Sequence, residues 1–335
     1  MRAATELPVM LVEIRDSDGR SGWGEAPVSW RVTGESPESI RAVIDGPLVG
    51  VALGREVADL PALADELRVA VAGNASARSA VDGALHDLAS QSVGVTLVEF
   101  LGGGVSEIST DMTLSVAPAD ELTASALQWT ESGFGTIKVK VGPAPATVDA
   151  LRRVRDAVGP AIRIRVDANQ AWSPREAVDI ITEWERIGLD IEFVEQPVGT
   201  TSLDDLAFVT ERVATPVMAD ESVWTSRDLR ELVRRGAADM VNLKLAKSGG
   251  IGETRLMLRL ASEAGIQVLI GTMMQSSVGV ATAASVAASA GLSDTVHDLD
   301  AGLWLSESPV RGGSVYQSDV VRLSPRPGLG IEGLR

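Results

Sequence analysis

The pattern of apolar and polar positions changes character along the chain. Near the start, VMLVEIRDSDGRSGWGEAP (residues 9–27) alternates with a period of two, which predicts a β-hairpin turning at Asp18-Gly19, a dipeptide suited to the positive φ of a tight turn. Helical periodicity follows, most clearly in ASARSAVDGALHDLASQSVG (residues 75–94), and Gly102, Gly103 and Gly104 interrupt it. A strand-then-helix rhythm then begins. Its strand-like cores are ISTDMTLSV, TIKVKV, IRIRVDAN, IEFVEQP, PVMADES, MVNLKLAK, QVLIGTMM and DTVHDLD. Between them run helix-period segments such as ATVDALRRVRDAVG and SPREAVDIITEWERIG. Such alternation favours a parallel sheet covered by helices, and eight strands favour closure into a barrel over an open sheet. The last connection, from Asp300 onward, is different: it is rich in Gly, Pro and Ser with short strand pieces, and is assigned to an accessory domain packed back on the N-terminal part. The expected division is residues 1–105 and 303–335 for the accessory domain and 106–302 for the barrel.

Composition narrows this picture. A chain of 335 residues exceeds one ordinary core, so a large α/β barrel with a smaller domain is the natural organisation. With 45% hydrophobic residues it is globular, and no stretch approaches the roughly 18–20 uninterrupted apolar residues that span a bilayer. The N-terminus lacks a basic segment followed by an apolar one, so a cytoplasmic location with no membrane association is expected. The formal net charge of −16 argues against contact with phosphate backbones, and no nucleic-acid partner is expected. The absence of cysteine excludes disulfides and thiolate metal sites, and two histidines make a His-based metal site or a Ser-His-Asp triad a poor reading. Hard oxygen ligands remain.

Those oxygens have a pattern. Asp167, Glu195 and Asp220 each end a strand-like run, at intervals of 28 and 25 residues, about one strand-plus-helix unit. All three would then sit at the same end of neighbouring parallel strands, the arrangement of a divalent-metal site. Lys138 and Lys140 in TIKVKV share one strand face. KVK is often a solvent-facing alternation, but the outer face of a barrel is covered by apolar helix, so Val139 and Val141 suit the outside and the lysines the interior. Lys244 has inward parity with Asn242, whereas Lys247 has the opposite parity and falls past its strand.

Mg²⁺ takes oxygen ligands and keeps water in its remaining positions, so three carboxylates and a substrate's oxygens suit it. A carboxylate substrate held there would lose its α-proton more readily, because its enolic form is stabilised. A lysine amine can be the base where neighbouring cations disfavour its protonated form, and Lys140 would stand beside both a lysine and the metal. With Lys244 on the other face of the planar intermediate, one amine deprotonates and the other reprotonates, which inverts the centre.

The KVK at 138–140, the acids Asp167, Glu195 and Asp220, and Lys244 in NLKLAKSGG resemble the enolase superfamily, specifically its muconate-lactonising-enzyme-like subgroup, over nearly the whole chain from GWGEAP onward. The resemblance implies a (β/α)7β barrel, a modified TIM barrel, with an α+β capping domain built from both chain ends. It also implies Mg²⁺ with a lysine base. By position, Lys138 would help to hold the substrate carboxylate, and Lys140 and Lys244 would be the acid/base pair. The subgroup includes cycloisomerases, o-succinylbenzoate synthases, N-acylamino acid racemases and dipeptide epimerases, so fold alone selects no reaction.

The end of the eighth strand does discriminate. Asp298 and Asp300 in Asp298-Leu299-Asp300 would direct two carboxylates at the site, repelling a muconate or succinyl group and attracting an ammonium. They resemble the feature of dipeptide epimerases that binds the substrate's α-ammonium group; a polar strand end or helix N-cap is the plain alternative. Arg2 aligns with an arginine that in L-Ala-D/L-Glu epimerases pairs with the glutamate side chain. The family usually carries a first strand and part of a capping loop ahead of this point, and a frayed terminal residue is the competing reading of Arg2. Thr113 matches a substrate-contacting position. Thr272, Met273 and Met274 would line the pocket, with Gln275 where many relatives have glutamate. The glycines of KSGGIG could cradle a phosphate but more simply permit a strand-to-helix turn.

The expectation is therefore an isomerase, a Mg²⁺-dependent dipeptide epimerase acting on a small-molecule substrate such as L-Ala-D/L-Glu. An N-acylamino acid racemase or o-succinylbenzoate synthase comes second and muconate cycloisomerase third. A catalytically silent binding barrel is the reading from another class. A homo-oligomer suits the family, with no subunit number fixed by the residues.

Overall fold

The structure is a computed structural model and describes residues 6–142 and 146–335. The expected hairpin forms from β1 (Val9–Arg15) and β2 (Ser21–Pro27), paired antiparallel with Val9 opposite Pro27. Its turn is wider than the Asp18-Gly19 reading. Asp16 Oδ1 accepts from the N–H groups of Asp18 and Arg20 (3.0 and 2.9 Å), and of the dipeptide only Gly19 has a positive φ, at 85°. Asp16 thus organises the loop, as aspartate does when it bonds its own backbone two residues on.

ISTDMTLSV splits into two elements. β3 (Glu107–Ser109) runs antiparallel to a late strand, while β4 (Met112–Leu114) begins the parallel series. The series continues through β5 (Thr136–Lys140), β6 (Arg163–Asp167), β7 (Ile191–Glu195), β8 (Val217–Ala219), β9 (Met240–Lys244) and β10 (Gln267–Gly271), neighbours in sheet and in sequence. The eighth strand is reduced to a bridge. Asp298 N–H donates to Ile270 O (3.1 Å), Thr272 N–H donates to Asp298 O (3.0 Å), and His297 N–H donates to Ser109 O (2.8 Å). Asp300 already belongs to a 3-10 helix, Asp300–Trp304, which leaves little room for extended backbone. The fold is the expected modified barrel with an α+β domain.

Local signals explain the helices. In Pro174–Arg186, Ser173 and Glu176 form a reciprocal capping box and Pro174 begins the helix. Ala177, Ile180, Ile181 and Trp184 recur at helical spacing and are buried, so one stripe faces the sheet. Val139 and Val141, expected on the outer face, are buried, as are the outward residues Val166 and Val194 of the next strands.

Two compact units emerge. One comprises Thr110–Asn242 with Arg259–Leu269; the other gathers the described residues up to Ser109 with Leu243–Leu258 and Ile270–Arg335. In the second unit β11 (Val310–Gly312) pairs with β14 (Ile331–Leu334), and β12 (Val315–Gln317) and β13 (Val320–Arg322) join β3 in a three-stranded sheet. The hairpin lies on the helix Ala75–Ser92, whose residues are buried on nearly all sides. Glycines permit that approach: a Cβ on Gly24 would lie 1.8 Å from Ala80 O and one on Gly22 would lie 2.1 Å from Ala84 O. Helix backbone cannot retreat cheaply, so Gly24→Ala is expected to destabilise the protein by about 3 kcal/mol. Urea unfolding checks this, and an unchanged midpoint would contradict the packing described.

The same unit buries several carboxylates on backbone donors. Glu25 accepts from Ser276 N–H and Oγ–H (both 2.7 Å) and from Gly279 N–H (2.9 Å) at the start of helix Ser277–Ser289. Burial raises its pKa despite these bonds. Asp87 accepts from Trp23 N–H and Leu329 N–H, tying the hairpin to the C-terminal segment. Asp82 Oδ2 accepts from Ile251 N–H (2.6 Å), and a Cβ on Gly250 would lie 2.5 Å from that oxygen. The anion position at the start of helix Ile251–Ala264 is thus taken by a side chain of the protein, which removes the phosphate-cradle reading of KSGGIG.

Candidate active site

Strand ends assemble the chemistry. Asp167 and Glu195 are the last residues of β6 and β7, and Asp220 directly follows β8. The register pairs Lys140 with Asp167 and Asp167 with Glu195, so these groups stand side by side at one end of the sheet. All three acids are nearly inaccessible, with 1, 1 and 3% of their surface exposed.

The lysines differ from one another. Lys138 is buried with its Nζ 2.6 Å from Glu195 Oε2 and 3.3 Å from Asp167 Oδ2. Lys140 Nζ lies 3.5 Å from Asp167 Oδ2 and donates to Asn169 Oδ1 at 3.2 Å, while 37% of its side chain remains exposed. Lys140 is therefore the one of the two that solvent or a small molecule can reach. Asn242 Nδ2 donates to Glu195 Oε1 (2.8 Å), so Glu195 is held at both oxygens. Lys244 ends β9 two residues later, on the same strand face as Asn242, and is buried. Lys247 lies in the helical turn Leu245–Ser248, past the strand as expected.

The donor set fits a divalent cation that prefers hard oxygen. Asp167 and Glu195 end adjacent strands and Asp220 follows the next one, and buried Asp167 Oδ2 accepts no hydrogen bond. Burying this much negative charge is costly unless cations balance it: Lys138 touches Glu195 and Asp167, and Lys140 lies 3.5 Å from Asp167.

One layer deeper lies a network that the sequence reading missed. Arg165, two residues before Asp167 and in register with Lys138, is buried and bonds Asp111 Oδ2 (2.7 Å) and Glu192 Oε2 (2.6 Å), its guanidinium 4.9 Å from the Phe193 ring centre. Burial works against its charge, but Asp111 and Glu192 outweigh it and raise its pKa. Parity in RIRVD puts Arg165 on the face of Asp167; a strand arginine ordinarily reads as solvated, which hid the signal.

The remaining expected residues fall as follows. Thr113 is buried on β4, opposite Lys138 in register and so on its face. Arg2 lies outside the described residues. Thr272 is buried and bonded to Asp298 O through its N–H, whereas Met274 is 45% exposed. Asp298 and Asp300 are both buried, with carboxylate oxygens within 4.8 Å of one another. Strand parity brings only Asp298 to its place. Asp300 opens the 3-10 helix, accepting from Trp304 Nε1–H (3.2 Å). Tyr316 secures this turn, donating to Leu299 O (2.5 Å) and accepting from Gly302 N–H (3.1 Å). The His297 ring is bonded away from Asp298, its Nδ1 accepting from Ile270 N–H (3.0 Å) and its Nε2 3.1 Å from Leu292 O. Trp172 packs edge-on against Trp184.

Known proteins share this fold. Residues 1–102 match the mandelate racemase/muconate lactonizing enzyme N-terminal domain and residues 121–334 the enolase C-terminal domain-like family. The chain is 39% identical to the L-Ala-D/L-Glu epimerase of Bacillus subtilis (strain 168), over 99% of this chain and 91% of that protein. A substrate-liganded structure of the Bacillus subtilis enzyme superposes with a TM-score of 0.95 at 38% identity, covering 98% of this chain and 91% of the other. The dipeptide epimerase from Cytophaga hutchinsonii, solved with Mg and the dipeptide D-Ala-L-Val, gives 0.92 at 33% identity, covering 98% and 89%. Muconate cycloisomerase 1 of Rhodococcus opacus is also similar, 34% identical over 98% of this chain and 89% of its own length, so overall identity separates the reactions poorly. With both domains matched and full-length relatives on either side of that division, the chain belongs to the mandelate racemase/muconate lactonizing enzyme family of the enolase superfamily.

Proposed function

We propose that this protein is a Mg²⁺-dependent dipeptide epimerase, an isomerase that inverts the α-carbon next to a substrate carboxylate, with L-Ala-D/L-Glu as the first substrate to test. The observation that carries the choice is the buried pair Asp298 and Asp300, two neighbouring carboxylates suited to a free α-ammonium and hostile to a succinyl group or a second carboxylate. Relatives described as dipeptide epimerases, including one solved with Mg and a dipeptide, support the reading.

Asp167, Glu195 and Asp220 would hold the cation, which when bound supplies Lewis-acid stabilisation of the charge that builds on the substrate carboxylate. Lys138 adds a fixed positive charge for that carboxylate. Lys140 takes the α-proton from one epimer onto Nζ and Lys244 takes it from the other, each returning a proton when the reaction runs the opposite way. Asp298 and Asp300 hold the ammonium, and Thr113, Thr272 and Met274 line the substrate's path. The functional division we assign is 1–105 with 303–335 for the accessory domain and 106–302 for the barrel. A cytoplasmic setting, with no nucleic-acid or membrane partner, completes the reading; among the described residues no helix is long and apolar enough to cross a membrane.

The test is incubation with Mg²⁺ in D₂O against a dipeptide library containing L-Ala-L-Glu, followed by mass spectrometry. One deuteron gained by dipeptides alone supports the epimerase. Exchange in N-succinylamino acids instead would move the assignment to a racemase and leave the Asp pair without its role. Asp298→Asn is expected to raise KM for dipeptides by about 10- to 100-fold, since a hydrogen bond to a charged group contributes about 1.5–3 kcal/mol. An unchanged KM would remove Asp298 from the ammonium site.

A further inference from the structure

We propose that Gln196 is a positioning residue whose side-chain amide sets Asp220 against Glu195, and thereby the spacing at which those carboxylates take a divalent cation. The proposal rests on the reading of Asp167, Glu195 and Asp220 as the metal acids.

Gln196 directly follows Glu195, is fully buried, and has a φ of 37°, a backbone region that residues other than glycine seldom occupy. Such a conformation persists only where its surroundings over-determine it. Backbone bonds do part of this: Gln196 N–H donates to Met218 O and Gln170 N–H donates to Gln196 O, both at 2.8 Å. The side chain does the rest. Oε1 accepts from Asp220 N–H (3.0 Å) and Ser222 N–H (3.2 Å), while Nε2 donates to Val198 O (2.9 Å) and Ser222 Oγ (2.8 Å). Two donor hydrogens and two acceptor lone pairs are thus all engaged.

Placement gives the amide its leverage. β8 ends at Ala219, so Asp220 has left the regular ladder, and its N–H donates to the side chain of Gln196, the residue that follows β7. The loop after β6 is joined to the same structure, because Ala168 N–H donates to Glu195 O (3.1 Å) and Trp172 N–H to Pro197 O (3.2 Å). Asn169 and Gln170 in that loop also have positive φ, at 41° and 66°. Residues following two of the acids are therefore bent away from strand geometry and tied across to the next loop. The chemistry requires an amide. A carboxylate would keep the acceptors, lose both donors and add negative charge beside three acids; an asparagine is one methylene short.

The experiment is calorimetric titration of Mg²⁺ into metal-free protein without substrate, for wild type, Asp220→Asn, Gln196→Met and the double variant. Methionine fills the glutamine's volume without its hydrogen bonds. Gln196→Met is expected to weaken Mg²⁺ binding about tenfold, the lower end for losing a partner that orients a metal ligand. In the Asp220→Asn background the same change should have little further effect. Wild-type affinity in Gln196→Met, or effects of the two substitutions that multiply independently, would overturn the proposal. Should Asp220→Asn bind Mg²⁺ as wild type does, the metal reading itself has failed, separately from the amide's role. If Gln196→Met does not fold, Ser222→Ala removes one acceptor of the same amide: a smaller loss of Mg²⁺ affinity is expected, and an unchanged affinity overturns the proposal.

Discussion

Lys140→Ala is expected to lower kcat for epimerisation by about 10³-fold, within the 10²–10⁴-fold range that a positioned acid or base contributes. The fold should survive. Lys140 is partly exposed and its contacts with Asp167 and Asn169 are long, at 3.5 and 3.2 Å, so the loss costs little stability. The informative readout is α-proton exchange in D₂O measured on each epimer separately. With Lys244 intact, the epimer whose proton Lys244 removes should still exchange without inverting, while its partner falls silent; Lys244→Ala should show the mirror image. Full inversion retained by either variant would sink the two-lysine scheme. Exchange of both epimers lost in one variant and unaffected in the other would point to a single base.

Glu195→Gln should do comparable damage by a different route. Its oxygens are engaged by Lys138 (2.6 Å) and Asn242 (2.8 Å), all three residues buried. The substitution keeps the volume, removes the charge of a proposed metal ligand, and takes from Lys138 the nearer of the two carboxylates it touches. Breaking a buried ion pair from one side typically costs about 3–5 kcal/mol, so a lower melting temperature is expected even without metal. Mg²⁺ should also stop stabilising the protein: a cation that binds only the folded state raises the melting temperature by mass action, and the variant should lose most of that shift. Melting curves with and without Mg²⁺ decide the matter. An equal rise in both proteins would show that Glu195 does not hold the cation.

Much of this site follows from local periodicity alone. The two-residue repeat of a strand puts Lys138 and Lys140 on one face, and the length of a strand-plus-helix unit brings Asp167, Glu195 and Asp220 to the same end of neighbouring strands. Both rules act over short stretches, which is why residue types and intervals suffice to read them. They misjudge places where backbone leaves its ideal form. ISTDMTLSV reads as one strand yet serves two sheets, the turn at residues 16–20 is shaped by Asp16 rather than by Gly19 alone, and Asp300 reaches the neighbourhood of Asp298 through a 3-10 turn instead of strand parity.

Residue order alone specifies the alternation of strands and helices, the barrel class, and the identity and order of the acids and lysines, because each is written in patterns a few residues to one unit long. Which polar groups are buried together depends instead on the packing of the whole fold. Arg165 meets Asp111 across 54 positions, Asn242 meets Glu195 across 47, Asp82 takes the start of a helix 169 positions away, and Glu25 binds Ser276 across 251. Such pairings leave no periodic trace, since a buried polar group is satisfied by whichever partner the folded chain brings within hydrogen-bond reach, and that partner is set by the packing of whole elements rather than by the residues beside it.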